Sequence, residues 1–600
     1  MSSAGRVIPP LVLVGVVFLL YQGTLYYPFQ FDDYLGIVGN RAIMNLWDLP
    51  GIWWHNPSRF FHYLSLAFNY HLGELDTFGY HLFNIILHGL AAAVYYYFVG
   101  LLFDASARMT GSKPEPCLAM ACQFTAALIF AVHPLQTQAV TFIWQRSASM
   151  ATMLYIGSMA LYLKSARMEQ EGQPEGVWKK WLALAWVAAL CSMMTKQFTV
   201  TLPVAMVLLD YLLVSGSLAR LKSRAARLGP FIPLILIIPV FTMFVGKGEV
   251  GDLGMRAANL LTPYRYLITE FNVITHYLGL AVYPVNQNLD YDFPIPSGFG
   301  DSALSFIFLC VIGATGVLLR GKSPAASFGI LFFFLAISVE SSFYPLEDPV
   351  FEHRMYLPLT GLLAALASLE LKLLSSVRAP ISLAAALALA VILAAPLSAA
   401  TVRRNVVWSD PILLWEDVVA KSPRKARGYN NLAISYFKMG QIEKGTALLL
   451  KAREVDPKFA ATYLNLGKLY DTQGNLHEAI SNYTEALTRD PNMTEIPYRL
   501  GSVFLRMKRY ETAARYFQAA IKIKPSNLSA RMEFGVALGL AGKLDTAVAV
   551  FADIIKMDPA NGQAHYNLAM AHFQRGEKAK AAQLFAKAKQ LGYLEPAPSF

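Results

Sequence analysis

Runs of about 20 apolar residues, the length that crosses a bilayer as a helix, recur along this chain up to Thr401 and are absent from there to Phe600. Hydrocarbon offers peptide groups no hydrogen-bond partner, so repeated runs of this kind fold as helices that bond within themselves. The chain is therefore expected to be all-α, with one part in lipid and one in water. Composition agrees: 55% of the 600 residues are apolar, 15% are charged and the mean hydropathy is +0.39, whereas soluble domains are about one quarter charged. In a soluble protein the net charge of +11 would suit nucleic acid. In a membrane protein basic residues first report topology, and no nucleic-acid partner is expected. Cys117, Cys122, Cys191 and Cys310 all lie in or beside apolar runs, where they read as small core residues rather than a disulfide frame. Tyr21-Gln22-Gly23-Thr24 offers no small-x-small cleavage pattern, so the first run reads as a retained helix.

Eleven spans are expected, at about 8–27, 80–103, 117–134, 142–164, 179–195, 197–214, 229–247, 302–320, 324–345, 353–371 and 380–401. A further apolar stretch, 263–284, carries Arg265, Glu270, Asn272, Thr275 and His276, more polar groups than lipid tolerates. With a cytoplasmic N-terminus and 263–284 not crossing, fifteen Lys and Arg fall on the cytoplasmic side against eight on the other. That asymmetry satisfies the positive-inside rule. Crossing at 263–284 would instead put Arg320-Gly321-Lys322 outside, so this stretch is expected to be interfacial or re-entrant.

On this topology a set of polar residues collects outside the cytoplasm. It comprises Asp32-Asp33, His55 to His62, His133-Pro134, Gln138, Gln145-Arg146, Lys196-Gln197, Asn286 to Asp292, Glu340, and Glu347 to Arg354. An active-site basin at the outer membrane surface would look like this. Adjacent acids so close to hydrocarbon need water, a cation or a role. Asp32 and Asp33 are the candidate catalytic pair, one as general base, and also the candidate ligands of a divalent cation.

Beyond the apolar part, Pro423, Pro457, Pro491, Pro525 and Pro559 recur every 34 residues. Leu466, Gly467, Tyr470, Ala479, Tyr483 and Ala486 keep phase with Leu500, Gly501, Phe504, Ala513, Phe517 and Ala520, while Tyr463 has no counterpart. This is the tetratricopeptide pattern, in which small residues let two helices approach and aromatic rings fill the gap. Five repeats are expected over 426–600, after a linker helix or half repeat at 403–425 that carries Trp415. A stack of this kind offers a concave surface to an extended protein or peptide. Asn431, Asn465 and Asn567 precede the consensus leucine position and could present amides to a peptide backbone.

The chain resembles the transmembrane and tetratricopeptide repeat-containing glycosyltransferases, whose eukaryotic members are protein O-mannosyltransferases, and resembles their bacterial relatives more closely. The residues that carry this are Phe31-Asp32-Asp33, Arg59-Phe60-Phe61, Phe68-Asn69-Tyr70, Tyr80-His81-Leu82-Phe83-Asn84, Ala131-Val132-His133-Pro134, Lys196-Gln197, Asn288-Leu289-Asp290-Tyr291 and Glu352-His353-Arg354-Met355-Tyr356-Leu357-Pro358, in that order. The resemblance implies a GT-C fold over 1–402, a polyprenyl-phosphate-linked sugar as donor and an acidic catalytic residue in the first extracytoplasmic loop. It also implies a bacterial inner membrane, with site and repeats on the periplasmic side. Asp32 and Asp33 fall on the acidic motif, and Arg354, with Glu352 and His353, on a late loop near the carrier phosphate. Lys196 and Arg146 are further candidates for that phosphate, and His133, Gln138, Asn288 and Asp290 complete the expected basin. Gln138 and Gln197 stand where family members often carry Glu. The expected function is inverting transfer of the sugar to a Ser or Thr hydroxyl of an exported protein. Two other readings remain: a non-enzymatic scaffold acting through its repeats, and a flippase or polymerase of lipid-linked sugars, which would line several spans with polar residues at the midplane.

Overall fold

The computed structural model describes residues 3–244, 261–377 and 379–598. Lys247, Arg256 and Arg378, counted in the charge asymmetry, lie outside the described residues, as does the end of the segment 229–247. Among the described residues every regular element is a helix. The chain forms two compact units, Met1–Ser422 and Pro423–Phe600.

The first unit is a bundle in which long helices pack on their sequence neighbours. Ser3–Tyr21 lies on Thr77–Thr110, which also packs against Pro116–Val132 and Arg146–Gln170. Arg146–Gln170 pairs with Glu175–Met193, and Ala379–Val407 returns to Pro116–Val132. Pro324–Ile337 and Pro358–Leu374 meet at reciprocal glycines: a Cβ on Gly329 would lie 2.4 Å from the Gly361 carbonyl oxygen, and one on Gly361 would lie 2.6 Å from that of Gly329. Backbones this close are the small-residue packing of membrane helices.

Among the described residues five helical segments are long and apolar enough to cross a membrane: Val7–Thr24, Thr77–Thr110, Gln197–Ser215, Phe299–Gly321 and Ile381–Val407. The pair Pro116–Val132 and Pro134–Val140, bent by 50°, makes a sixth if it is one broken span. The other expected spans are helices of another character. Pro324–Ile337 and Pro358–Leu374 have only 14 and 17 residues. Glu175–Met193 carries Lys179 and Lys180, and Arg146–Gln170 carries Lys164 and Arg167. The linker also differs from its sequence outline. Ala379–Val407 runs past residue 402, and the following helix Pro411–Lys421 belongs to the first unit, whose boundary falls at Ser422.

The second unit is five antiparallel helix pairs: Ala426–Lys438 with Ile442–Val455, Ala460–Thr472 with Leu476–Arg489, Ile496–Arg506 with Tyr510–Ile523, Leu528–Leu540 with Leu544–Met557, and Gly562–Gln574 with Lys578–Gln590. The sequence period has a direct steric cause. A Cβ on Gly467, Gly501 or Gly535 would come within 2.5, 2.8 and 2.5 Å of the rings of Tyr483, Phe517 and Phe551. Four of the five turns inside a pair are left-handed at glycine: Gly440, Gly474, Gly542 and Gly576. In the third pair Lys508 takes that place with φ of 59°. A left-handed conformation costs a non-glycine residue about 1–2 kcal/mol. Lys508→Gly is therefore expected to raise the stability of the repeat unit by about 1 kcal/mol, read as a higher midpoint in a circular-dichroism melt of 423–600. A lower midpoint would mean that the lysine side chain makes a compensating contact.

Candidate active site

Three consecutive residues, Trp144, Gln145 and Arg146, fasten the expected site. The Trp144 backbone N–H donates to Asp33 Oδ1 at 2.8 Å. Gln145 Oε1 accepts from Lys196 Nζ at 3.0 Å. Arg146 donates from Nε to Asn84 Oδ1 at 2.6 Å, from Nη1 to the Ser65 carbonyl at 3.1 Å and from Nη2 to the Tyr80 carbonyl at 2.9 Å. One turn of backbone thus ties the acidic loop, a buried lysine and the helices Phe60–Gly73 and Thr77–Thr110 together.

The two acids are not equivalent. Asp33 is buried, and its second oxygen accepts the Gln30 backbone N–H at 2.9 Å. Both carboxylate oxygens therefore have a backbone donor. Burial pushes the Asp33 carboxyl up to about 8, against the pull of the two N–H groups and with the Asp32 charge adding to the rise. Asp32 is partly exposed beside it. Phe31, the residue before, has φ of 46°, a strained conformation for a bulky side chain. Its ring packs edge-on against Trp415 at 5.6 Å and beside Phe142 at 6.2 Å, which holds the strain in place. Gly36, in the wide turn Tyr34–Val38, lies so close to Trp144 that a Cβ would come 2.1 Å from its ring. The loop anchors Asp33 and leaves Asp32 partly exposed.

Opposite Gln145 a cation cluster gathers. Lys196 is 6% exposed, and its pKa is lowered to about 8 by burial and by the charges of Arg59 and Arg354, with Glu340 pulling the other way. Arg354 is steadied by the carbonyls of Pro349 and Asp348, at 2.6 and 2.9 Å. Arg59 Nε reaches Gln197 Oε1 at 3.4 Å. The His353 backbone N–H donates to Gln138 Oε1 at 2.7 Å, and its Nδ1 lies 3.0 Å from the same oxygen. Around these cations several buried polar atoms have no hydrogen-bond partner: Gln138 Nε2, Gln197 Nε2 and both ring nitrogens of His62. Burial, then Arg59, Arg146 and Lys196, hold the His62 pKa well below the ordinary value, so the ring is neutral. A buried unsatisfied polar group costs about 1–3 kcal/mol. Their gathering around three cations would suit an oxyanion.

Other expected site residues have structural positions. Arg146 is fully buried, bonded on three nitrogens and covered by the Phe83 ring at 4.4 Å, so it faces protein rather than a phosphate. His133 sits at the break of the bent helix pair, where Nδ1 accepts the Leu135 N–H at 3.2 Å and Nε2 lies 3.0 Å from the Ala281 carbonyl. Glu352 organises a loop: Oε1 accepts the Asn288 N–H and the Tyr291 hydroxyl, each at 2.7 Å, and Oε2 accepts Gln287 Nε2 at 2.7 Å. Asn288 Nδ2 in turn donates to Ser422 Oγ at 2.8 Å, and the Ser422 hydroxyl donates to the Asp290 carbonyl at 2.7 Å. Glu352, Asn288 and Asp290 thus join the loop to the end of the helix Pro411–Lys421. Arg59, His62 and Gln145 belonged to the outer polar set without an expected role, and the structure brings them to the cations.

No group of three or more metal-ligating side chains occurs among the described residues. Each Asp33 oxygen already accepts one N–H group, which leaves it a single lone pair. In the second unit Asn430 Nδ2 donates to Asn431 Oδ1 at 3.2 Å and Asn465 Nδ2 to Asn430 Oδ1 at 2.9 Å, an amide ladder across two repeats. Asn567 Nδ2 instead meets Met532 Sδ at 3.2 Å.

The tetratricopeptide repeat family matches residues 424–492, 464–527, 498–560 and 532–593. The chain is similar to Protein O-mannosyl-transferase F38B6.6 of Caenorhabditis elegans, 24% identical over 474 residues that make 75% of this chain and 63% of the relative. It is similar to Protein O-mannosyl-transferase TMTC3 of Mus musculus, 23% identical over 74% of this chain and 51% of the relative. The chain thus spans between 51% and 63% of the length of these curated relatives. Among solved structures, "YrrB: a TPR protein with an unusual peptide-binding site" covers 30% of this chain and 91% of its own, at 26% identity and a TM-score of 0.28.

The lowered pKa of Lys196 has a sign that can be measured. The side chain is cationic below about 8 and neutral above. Binding of a short-chain polyprenyl phosphate to the solubilised chain is expected to weaken as pH rises through about 8. Lys196→Arg, which keeps its charge, removes that alkaline loss. An unchanged pH profile in the variant would remove Lys196 from the anion site.

Proposed function

We propose that this chain is an integral-membrane glycosyltransferase that moves a sugar from a polyprenyl-phosphate donor to a Ser or Thr hydroxyl of an exported protein. The observation that carries the reading is the tie through Trp144 and Gln145. Asp33 hangs on one of these residues and Lys196 on the next, so a presented carboxylate and a cation cluster share one rigid segment. The relatives, proteins named protein O-mannosyl-transferases, support the same class of reaction.

In the proposed mechanism Asp32 is the general base. Its carboxylate takes the proton of the acceptor hydroxyl as that oxygen bonds to the anomeric carbon. The bond from that carbon to the phosphate oxygen breaks, and the electron pair leaves on the phosphate. Lys196, Arg354 and Arg59 receive the growing negative charge through charge-assisted hydrogen bonds. Direct attack of this kind inverts the anomeric centre. Asp33 positions the loop, its own carboxyl kept largely protonated at neutral pH by burial.

The eleven-span topology belongs to the same proposal, with Asp32, the cation cluster and the repeats on the periplasmic side of a bacterial inner membrane. There the repeats bind the acceptor protein. A scaffold would have no use for three cations among unsatisfied buried donors.

Two measurements in proteoliposomes test the reading. Asp32→Asn is expected to lose about two to four decades of transfer rate, while Asp33→Asn falls chiefly in thermal stability. Full transfer by Asp32→Asn would overturn the assignment. Deleting 426–600 is expected to spare transfer to a short peptide and impair transfer to a whole protein. Equal loss on both would leave the repeats a structural role only.

A further inference from the structure

The helix Pro263–Val282 is unusually polar for one set among apolar helices. Most of its polar groups have local partners. Arg265 Nη2 donates to the Pro296 carbonyl at 3.1 Å, Asn272 Nδ2 to Ser302 Oγ at 3.1 Å and Thr275 Oγ1 to the Phe271 carbonyl at 2.9 Å. Glu270 is different. It is completely buried, and neither carboxylate oxygen accepts a well-formed hydrogen bond, the hydroxyls of Tyr266 and Ser341 being the donors that face it.

Its surroundings make this more pointed. Tyr266 lies beside it, but the tyrosine hydroxyl donates to the Glu340 carbonyl at 3.1 Å. Ser341 also lies beside it, and its Oγ is buried without a partner as well. The facing charge is Arg354, two of whose five N–H groups are held by backbone carbonyls. The groups around Glu270 from the packed elements are thus Tyr266, Ser341, Glu340 and Arg354. Burial raises the Glu270 carboxyl to about 7, and its ionised form, which prevails above that pH, only accepts, so whatever satisfies it must bring O–H or N–H donors. It repels phosphate and carboxylate, which excludes it from the anion site proper. Yet Arg354 joins it to that site.

We infer that Glu270, with Ser341 beside it and Arg354 behind it, is the subsite that reads the hydroxyl groups of the donor sugar. This inference rests on the donor proposed above. The carboxylate accepts two O–H bonds from neighbouring hydroxyls of a neutral hexose, and Ser341 completes the set. The cations hold the phosphate on the far side of Arg354. A sugar bearing a carboxylate at this edge is rejected by charge.

Equilibrium binding tests this independently of catalysis. The probes are a short-chain polyprenyl-phosphate hexose, its singly deoxygenated analogues and a uronic-acid analogue, each titrated into the detergent-solubilised full chain. Wild type is compared with Glu270→Ala and with the near-isosteric Glu270→Gln, both checked for a single gel-filtration peak and an unchanged melting midpoint. Glu270→Ala is expected to weaken binding of the intact donor by about tenfold to a hundredfold. One deoxygenated donor is expected to weaken wild type similarly, and the two changes together should do no more than either alone. The uronic-acid donor should bind better to Glu270→Gln than to wild type. Losses that simply multiply for every deoxygenated donor, or a Glu270→Gln protein that matches wild type on all probes, would overturn the subsite. Coupled binding without any sugar transfer by wild type would keep the subsite and sink the transferase. Absence of binding by wild type would sink both.

Discussion

The hydrogen bond from the Trp144 backbone N–H to Asp33 is the contact on which the rest of the site depends. A backbone donor cannot change rotamer, so the acidic loop moves only if the start of the helix Arg146–Gln170 moves. That start is fixed by the Arg146 guanidinium, which binds two carbonyls and an amide from other helices. Gln145, between them, holds Lys196. An acid and a cation separated by 163 positions are thereby set on one short rigid piece of chain. Catalysis by position needs such preorganisation, because reacting groups held in place convert lost freedom into rate.

Much of the fold was legible because its signals are local. The 34-residue period of small and aromatic residues has a simple cause in the ring of Tyr483 against Gly467. The division into an apolar and a polar part follows from hydropathy alone. Span number was less legible, since a helix surrounded by other helices need not be apolar or bilayer-long. Arg146–Gln170 buries Ser147, Ser149, Thr152 and Ser158 against its neighbours, which dilutes the very signal used to find it. The site was legible in its residue types and not in its pairings. Asp33 meets Trp144 across 111 residues, and Arg146 meets its partners across 62 to 81. Nothing in spacing told Arg146, a buried cross-link, from Lys196, a buried cation beside Arg59 and Arg354. Asp32 and Asp33 looked interchangeable until the backbone donors around one of them were seen.

Buried polar atoms without partners give the chain its functional direction. Gln138, Gln197 and His62 offer unsatisfied nitrogens near three cations, while Glu270 and Ser341 offer oxygens behind Arg354. Donors in excess on one side and acceptors on the other describe a ligand with an anionic end and a hydroxylated end. A sugar on a phosphate has that shape. In the repeats the side chains of Asn430, Asn431 and Asn465 form an amide ladder.

Intact mass spectrometry of exported proteins, from cells with and without the gene, tests the central claim most directly. The account predicts that at least one protein loses the mass of a single sugar from Ser or Thr when the gene is removed, and regains it with the wild-type chain but not with Asp32→Asn. Identical masses in the two strains, with the chain folded and present in the membrane of the first, would contradict it.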